Sequence, residues 1–278
     1  MKRILTIQDI SCVGKCSLTV ALPIISACGV EASILPTAVL STHTMFSSFT
    51  FRDLTDDLTG ICNEWQKHGL GFDAIYTGYL GSFRQLDICA DIFDKFNSEN
   101  NFVLIDPVMA DNGKLYPGFD QNFALNMAKL CEKADIIVPN LTEASFMLNT
   151  EYVAEGYSED YIKELLKKLV ALGSKKAVLT GVSFDNKQLG VYAYDSQTGE
   201  YFSYYREKLP VSFHGTGDVF ASTLLGAMAK GRTMQDALKI AVDYTVECIK
   251  VTMDNPEHNF YGVEFENALP YLINRIDK

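Results

Sequence analysis

The sequence predicts an α/β fold with a mostly parallel central sheet and helices on both of its faces, and three observations carry that expectation. Short apolar runs rich in β-branched residues recur at 4–8, 32–38, 73–78, 102–106, 135–139 and 176–181. Longer segments with helical spacing separate them, which is the βαβ order of a parallel sheet. Polar residues and glycines gather just after the runs, at Asp9, Gly14, Gly78-Tyr79, Asp106-Pro107, Asn140 and Thr180-Gly181. Ligands of such sheets collect beyond the carboxyl ends of the strands.

Taken in chain order, the first run leads into the polar loop Asp9-Ile10-Ser11-Cys12-Val13-Gly14, and the second into Ser41-Thr42-His43-Thr44. The run at 102–106 ends on Asp106 with Asp111 five residues later. The run at 135–139 meets Pro139-Asn140-Leu141-Thr142-Glu143, where Asn140 or Thr142 can cap a helix that has Glu143 in its first turn. Two further strands, 188–195 and 200–206, flank Ser196-Gln197-Thr198-Gly199 and read as a hairpin that breaks the parallel pattern. Helices are expected over 217–229, 233–252 and 263–276. No internal repeat or Pro/Gly/Ser linker interrupts the 278 residues, so a single domain over 1–278 is expected.

Composition narrows the function classes. A net charge of -11 opposes binding to nucleic acid or to anionic membranes, each of which needs a basic patch. An anionic nucleotide would have to bind through Mg²⁺ and backbone N–H groups. No apolar run approaches the roughly 20 residues of a membrane span, and the first residues do not resemble a signal peptide. The seven cysteines lack CxxC spacing and suit a reducing compartment. A cytoplasmic protein is expected.

The stretch His214-Gly215-Thr216-Gly217-Asp218 carries the most chemistry. Gly215, Thr216 and Gly217 open an apolar helix whose first amides and positive dipole end suit a phosphate. Asp218 is unfavourable beside a phosphate for binding alone, but useful if it takes a proton from a hydroxyl that attacks the phosphoryl group. An ordinary helix start with an Asp near its cap is the alternative. Asp106 and Asp111 could hold Mg²⁺ directly or through water, or serve as turn and cap residues, since Asp111-Asn112-Gly113 is itself turn chemistry. Asn140 and Glu143 could cap a helix and also face a nucleotide phosphate and metal-bound water. His43 could be structural or catalytic. The P-loop pattern G-x-x-x-x-G-K-[ST] is absent.

Ile7-Gln8 with Gly14, Ser41-Thr42-His43-Thr44, Thr77-Gly78-Tyr79-Leu80-Gly81-Ser82, Asp106-Pro107-Val108, Pro139-Asn140 with Glu143, and Gly215-Thr216-Gly217-Asp218 together resemble the pyridoxal/pyridoxamine kinases of the ribokinase-like superfamily. The resemblance spans nearly the whole chain. It implies a ribokinase-like fold and ATP-dependent phosphorylation of the hydroxymethyl group of a B6 vitamer. It implies Asp218 as base and Gly215, Thr216 and Gly217 as anion hole. It implies Asp106, Asn140, Glu143 and Thr180 toward the nucleotide, with Asp106, Asp111 and Glu143 toward Mg²⁺. Asp9, Thr44 and Tyr79 would line the vitamer pocket, and Tyr116 would lie over the active site. A homodimer and a monovalent cation such as K⁺ are implied as well.

Two positions depart from the family pattern: Asp9 stands where serine is usual, and Ala110 where glycine is usual. A hydroxymethylpyrimidine or hydroxymethylpyrimidine-phosphate kinase is the alternative on the same fold, although those enzymes would be expected to carry cysteine around the anion hole, commonly CGTGC. Here the flanks are His214 and Asp218. A non-catalytic pyridoxal phosphate binder is a further alternative.

Overall fold

Each of the six apolar runs forms a strand in the computed structural model, which describes residues 1–277. The chain begins with β1 (Arg3–Ser11), α1 (Leu18–Ala27), β2 (Glu31–Leu40), β3 (Phe51–Asp53), α2 (Thr55–Lys67) and β4 (Ala74–Thr77). It continues with α3 (Phe83–Phe96), β5 (Phe102–Ile105), β6 (Ala110–Asp111), β7 (Lys114–Leu115), α4 (Gln121–Cys131) and β8 (Ile136–Ile137). Then come α5 (Leu141–Met147), α6 (Glu159–Val170), β9 (Lys176–Val182), β10 (Gln188–Asp195) and β11 (Glu200–Glu207). The chain closes with α7 (Thr216–Ala229), α8 (Met234–Asp254) and α9 (Phe265–Ile276). These elements form two units, one from 1–78 with 209–278 and the other from 79–208.

In the first unit β1 pairs in parallel with β2 on one side and β4 on the other, with Ile4 opposite both Ala32 and Ala74. Successive residues Ile4 and Leu5 are both fully buried, so both faces of β1 are covered. That explains the near-continuous apolar run where a half-exposed strand would alternate. The three-residue β3 adds an antiparallel edge to β2. It escaped the sequence reading because all three of its residues are exposed and no alternation marks it. Helix α7 packs on α1 and α8, and its residues from Val219 to Ala227 are all buried. Burying Leu224 and Leu225 stabilises this packing by roughly 1.5–3 kcal/mol each.

The second unit repeats the parallel theme with β5, β8 and β9, then turns antiparallel through β10 and β11. The hairpin turn falls on 196–199, as its sequence requires, with Gly199 at φ 74°. Asp111-Asn112-Gly113 also forms a turn. Asn112 at φ 50° and Gly113 at φ 75° close the small β6–β7 hairpin, the positive angles a two-residue hairpin loop demands. Side-chain caps start α3 at Ser82, α4 at Asp120, α5 at Asn140, α6 at Ser158 and α8 at Thr233. Among the described residues no helix is long and apolar enough to cross a membrane. All seven cysteines are free.

Candidate active site

In the first unit α7 begins without a capping side chain, unlike the five helices just named. Its N-cap is Gly215 at φ 81°, and a Cβ there would lie 2.1 Å from the Lys15 carbonyl oxygen. Only glycine fits both conditions. Gly217 differs: its φ is ordinary and, its chain neighbours and its own helix backbone aside, no atom lies within 4 Å of where its Cβ would be. The protein itself does not demand glycine at 217, and the space beside it is open. The Thr216 hydroxyl turns back to donate to the Phe213 carbonyl at 3.1 Å, leaving the first-turn amides without a side-chain cap.

Asp218 sits in that first turn. Part of its surface stays accessible, but most of the side chain lies below the surface. This desolvation, reinforced by the charge of Asp9, lifts its carboxyl to about 7, against a downward pull from the Ser17 amide. Asp9 lies in β1, 7% exposed, and accepts a hydrogen bond from the Ser17 hydroxyl at 2.7 Å. Burial raises its carboxyl too, and that bond holds it back. Burial and the charges of Asp218 and Asp9 push the Cys16 thiol pKa upward.

The loop after β2 is part of the same unit. His43 is buried, its Nδ1 accepts from the Met45 amide at 3.1 Å, and its ring lies 5.7 Å from that of His214. Burial and His214 both lower its pKa, which favours the neutral ring. Thr44 beside it is exposed. The structural account of His43 is therefore well supplied with contacts.

The second unit gathers the other set. Asn140 caps α5: its Oδ1 accepts from the Glu143 amide at 2.9 Å, and its own amide donates to Glu143 Oε2 at 2.8 Å. Glu143 Oε1 accepts from the Met109 amide at 3.2 Å, and Asn140 Nδ2 donates to the Ala110 carbonyl at 2.9 Å. The capping box is complete, and it ties the start of α5 to the strand β6. Burial nonetheless raises the Glu143 carboxyl to about 8, opposed by these amides and abetted by Asp111. Asp106, 7% exposed, follows β5, and the buried Cys131 is influenced by both Asp106 and Glu143. Thr180 bridges to Asn140, its amide donating to the Pro139 carbonyl at 3.0 Å.

Asp111 is exposed and accepts from the Asn112 amide and from Asn112 Nδ2, both at 2.9 Å. Tyr116 is 37% exposed, with its amide on the Met109 carbonyl. Tyr79 packs against Phe119, centroids 5.6 Å apart, and Phe119 stacks on Phe123. Among the described residues no three His, Cys, Asp or Glu side chains converge as a metal site. Two buried carboxylates and a nearby third, with no closed cage, fit Mg²⁺ of the kind that keeps most of its waters and takes its remaining ligands from phosphate oxygens.

Sequence reasoning missed Lys15 and Ser17. Lys15 is buried, its Nζ is 2.5 Å from Glu266 and lies over the Phe265 ring, and its backbone abuts Gly215. Nothing local in the sequence marks these contacts, since each partner is about 200 residues or more away.

The phosphomethylpyrimidine kinase family model matches residues 22–263. A Bacteroides thetaiotaomicron protein described as a candidate phosphomethylpyrimidine kinase, crystallised with pyridoxal, superposes with a TM-score of 0.92 at 38% identity, covering 98% of this chain and 95% of that one. Pyridoxal kinase from Lactobacillus plantarum gives 0.90 at 29% identity, covering 99% and 97%. Pyridoxine kinase from Bacillus subtilis is 30% identical over 205 residues, 72% of each chain. The chain belongs to the phosphomethylpyrimidine kinase family and is a kinase.

Proposed function

We propose that this kinase transfers the γ-phosphoryl group of ATP to the 5′-hydroxymethyl group of pyridoxal, pyridoxamine or pyridoxine. The observation that carries the reading is Asp218, a desolvated carboxyl with a pKa of about 7, in the first turn of a helix that begins on glycine with no side-chain cap. Asp218 takes the proton of the attacking hydroxyl. The amides of Thr216, Gly217 and Asp218 neutralise charge on the moving phosphoryl group, the main source of rate in this chemistry. Asp106, Asn140, Glu143 and Thr180 serve the nucleotide, with Asp106, Asp111 and Glu143 toward Mg²⁺. When bound, that ion neutralises phosphate charge. Thr44, Tyr79 and Tyr116 shape the vitamer site. The reading treats 1–278 as one kinase domain, cytoplasmic and homodimeric. The exposed Phe49 and Phe51 beside the β3 edge favour association.

A second reading, phosphorylation of hydroxymethylpyrimidine or its phosphate, is favoured by the matching family model. ATP consumption measured against the three vitamers, hydroxymethylpyrimidine and hydroxymethylpyrimidine phosphate, with Mg²⁺ and with K⁺ or Na⁺, tests both. The vitamer reading expects its largest kcat/KM among the vitamers. Turnover of the pyrimidines alone would overturn it. Retained vitamer binding with no ATP consumption would identify a binder.

Asp9 gives a finer expectation. A buried carboxylate where serine is usual pairs with the aminomethyl ammonium of pyridoxamine, and an aldehyde offers no such charge. A charge-assisted hydrogen bond of about 1.5–3 kcal/mol favours pyridoxamine over pyridoxal by roughly ten- to a hundredfold in kcat/KM. Asp9→Ser should shrink that ratio; an unchanged ratio removes Asp9 from vitamer recognition.

A further inference from the structure

The loop between β1 and α1 contains a residue that works against its own helix. Ser17 is the N-cap of α1, the position where serine ordinarily turns its oxygen to accept from the first helical amides. No such side-chain bond forms. Its backbone lies at φ 50° and ψ -131°, conformational space normally left to glycine. From that geometry the 5% exposed Ser17 sends its hydroxyl to Asp9 Oδ1 at 2.7 Å and its amide to the Asp218 carboxylate. One residue thus grips two acids, one on β1 and one on α7. The strain and the forgone cap have no return within α1.

We propose that Ser17 is a positioning residue for the Asp218 base, fixing its carboxylate through the amide and setting its charge surroundings through the hydroxyl on Asp9. This rests on the reading of Asp218 as the base of a kinase. Burial raises the Asp9 carboxyl and the Ser17 hydroxyl opposes that rise, while negative charge on Asp9 disfavours charge on Asp218. Cys16, the other titratable group beside the pair, stays a thiol because both acids and burial hold it there. Lys15 turns its ammonium to Glu266 on α9, and burial lowers the pKa of His43, which packs against His214. The charge balance at Asp218 therefore runs chiefly through Asp9 and Ser17.

The test uses three variants and two readouts. Ser17→Ala removes the hydroxyl but retains a Cβ at the unusual φ. Without its donor Asp9 binds a proton more readily, the repulsion on Asp218 falls, and the acidic limb of the kcat–pH profile should move down by roughly half a unit or more. Asp9→Asn should give the same shift, and the double variant should add nothing to it. Ser17→Gly loses the same hydroxyl as Ser17→Ala but adopts the backbone freely, so it should fold at least as stably as Ser17→Ala while losing about tenfold in kcat through a less fixed base. Carbon-13 NMR titration of the Asp218 carboxyl in wild type, Ser17→Ala and Asp9→Asn reads the same coupling with no substrate present. If no hydroxymethyl compound is turned over but the NMR shift appears, the kinase reading fails and the grip of Ser17 on the two acids stands. An Asp218 titration identical in all three proteins overturns the proposal. So does a Ser17→Gly variant whose activity follows only its folded fraction.

Discussion

Two helix starts in this molecule, α7 and α5, use the same local materials to opposite ends. Each has an acid in its first turn, Asp218 in one and Glu143 in the other, and burial raises both carboxyls. At α5 the cap is filled from within: Asn140 and Glu143 satisfy each other's amides, and Glu143 takes the Met109 amide as well. At α7 the cap is a glycine, the first-turn amides meet no capping side chain, and the acid has one amide from Ser17. On the proposed reading, the uncapped glycine start with its acid leaves α7 open to a phosphate, where a filled cap like that of α5 would compete with the ligand.

The comparison breaks most sharply at Asp218. Asp218→Asn should lower kcat by roughly two to four powers of ten, the scale of losing a positioned base. Wild-type turnover at saturating ATP and vitamer would remove Asp218 from the mechanism. In the unmodified protein activity should rise with pH around a midpoint near 7, because the base must first be ionised. Stability should run the other way. The folded carboxyl, at about 7, lies above its unfolded value of roughly 3.9, so the folded state binds the proton more tightly. Its contribution is complete below the unfolded pKa and is lost as pH rises through 7. Asp218→Asn should therefore gain stability relative to wild type above pH 7, measurable as Tm at pH 5 and pH 8.

A paired substitution sharpens the contrast within α7. Gly215→Ala forces a Cβ to 2.1 Å from the Lys15 carbonyl oxygen at φ 81° and should cost about 1–3 kcal/mol of stability. Gly217→Ala meets no protein atom within 4 Å. It should leave Tm unchanged and raise KM for ATP about tenfold, the scale of one impaired hydrogen bond to a charged group. Equal effects on Tm from both variants would mean that Gly217 is there for the fold and not for phosphate.

The strands were legible because burial on both faces leaves an unbroken apolar run, as at Ile4, Leu5 and Ile7. The helix start at Gly215 with Asp218 in its first turn was legible because helix-start chemistry is local. The α5 cap was read as open to two roles, and the hydrogen bonds supply the capping role in full. What stayed hidden was non-local or conformational. Gly215 answers to Lys15, and Ser17 earns its interest from a backbone angle that its side chain does not advertise. The small hairpin β6–β7 was visible only as a turn, since two residues a side are too few to show alternation.

The smallest effect is expected at Glu143, and it decides how far α5 belongs to structure alone. Glu143 Oε1 and Oε2 each accept from a backbone amide, Met109 on one side and Asn140 on the other. Glutamine offers only one oxygen, so in Glu143→Gln one buried amide meets an NH₂ group and loses its acceptor. That should cost about 1–3 kcal/mol, a fall in Tm of a few degrees for a chain of this size. If the carboxylate only caps, the folded variant will keep the wild-type dependence of rate on Mg²⁺. If it also faces metal-bound water, the Mg²⁺ concentration for half-maximal rate should rise several-fold while KM for the vitamer stays put, because the vitamer is assigned to other residues. Measuring Tm and the Mg²⁺ titration on the same preparation separates the two. A lower Tm with an unchanged titration would make α5 a fully internal helix start and complete its contrast with α7.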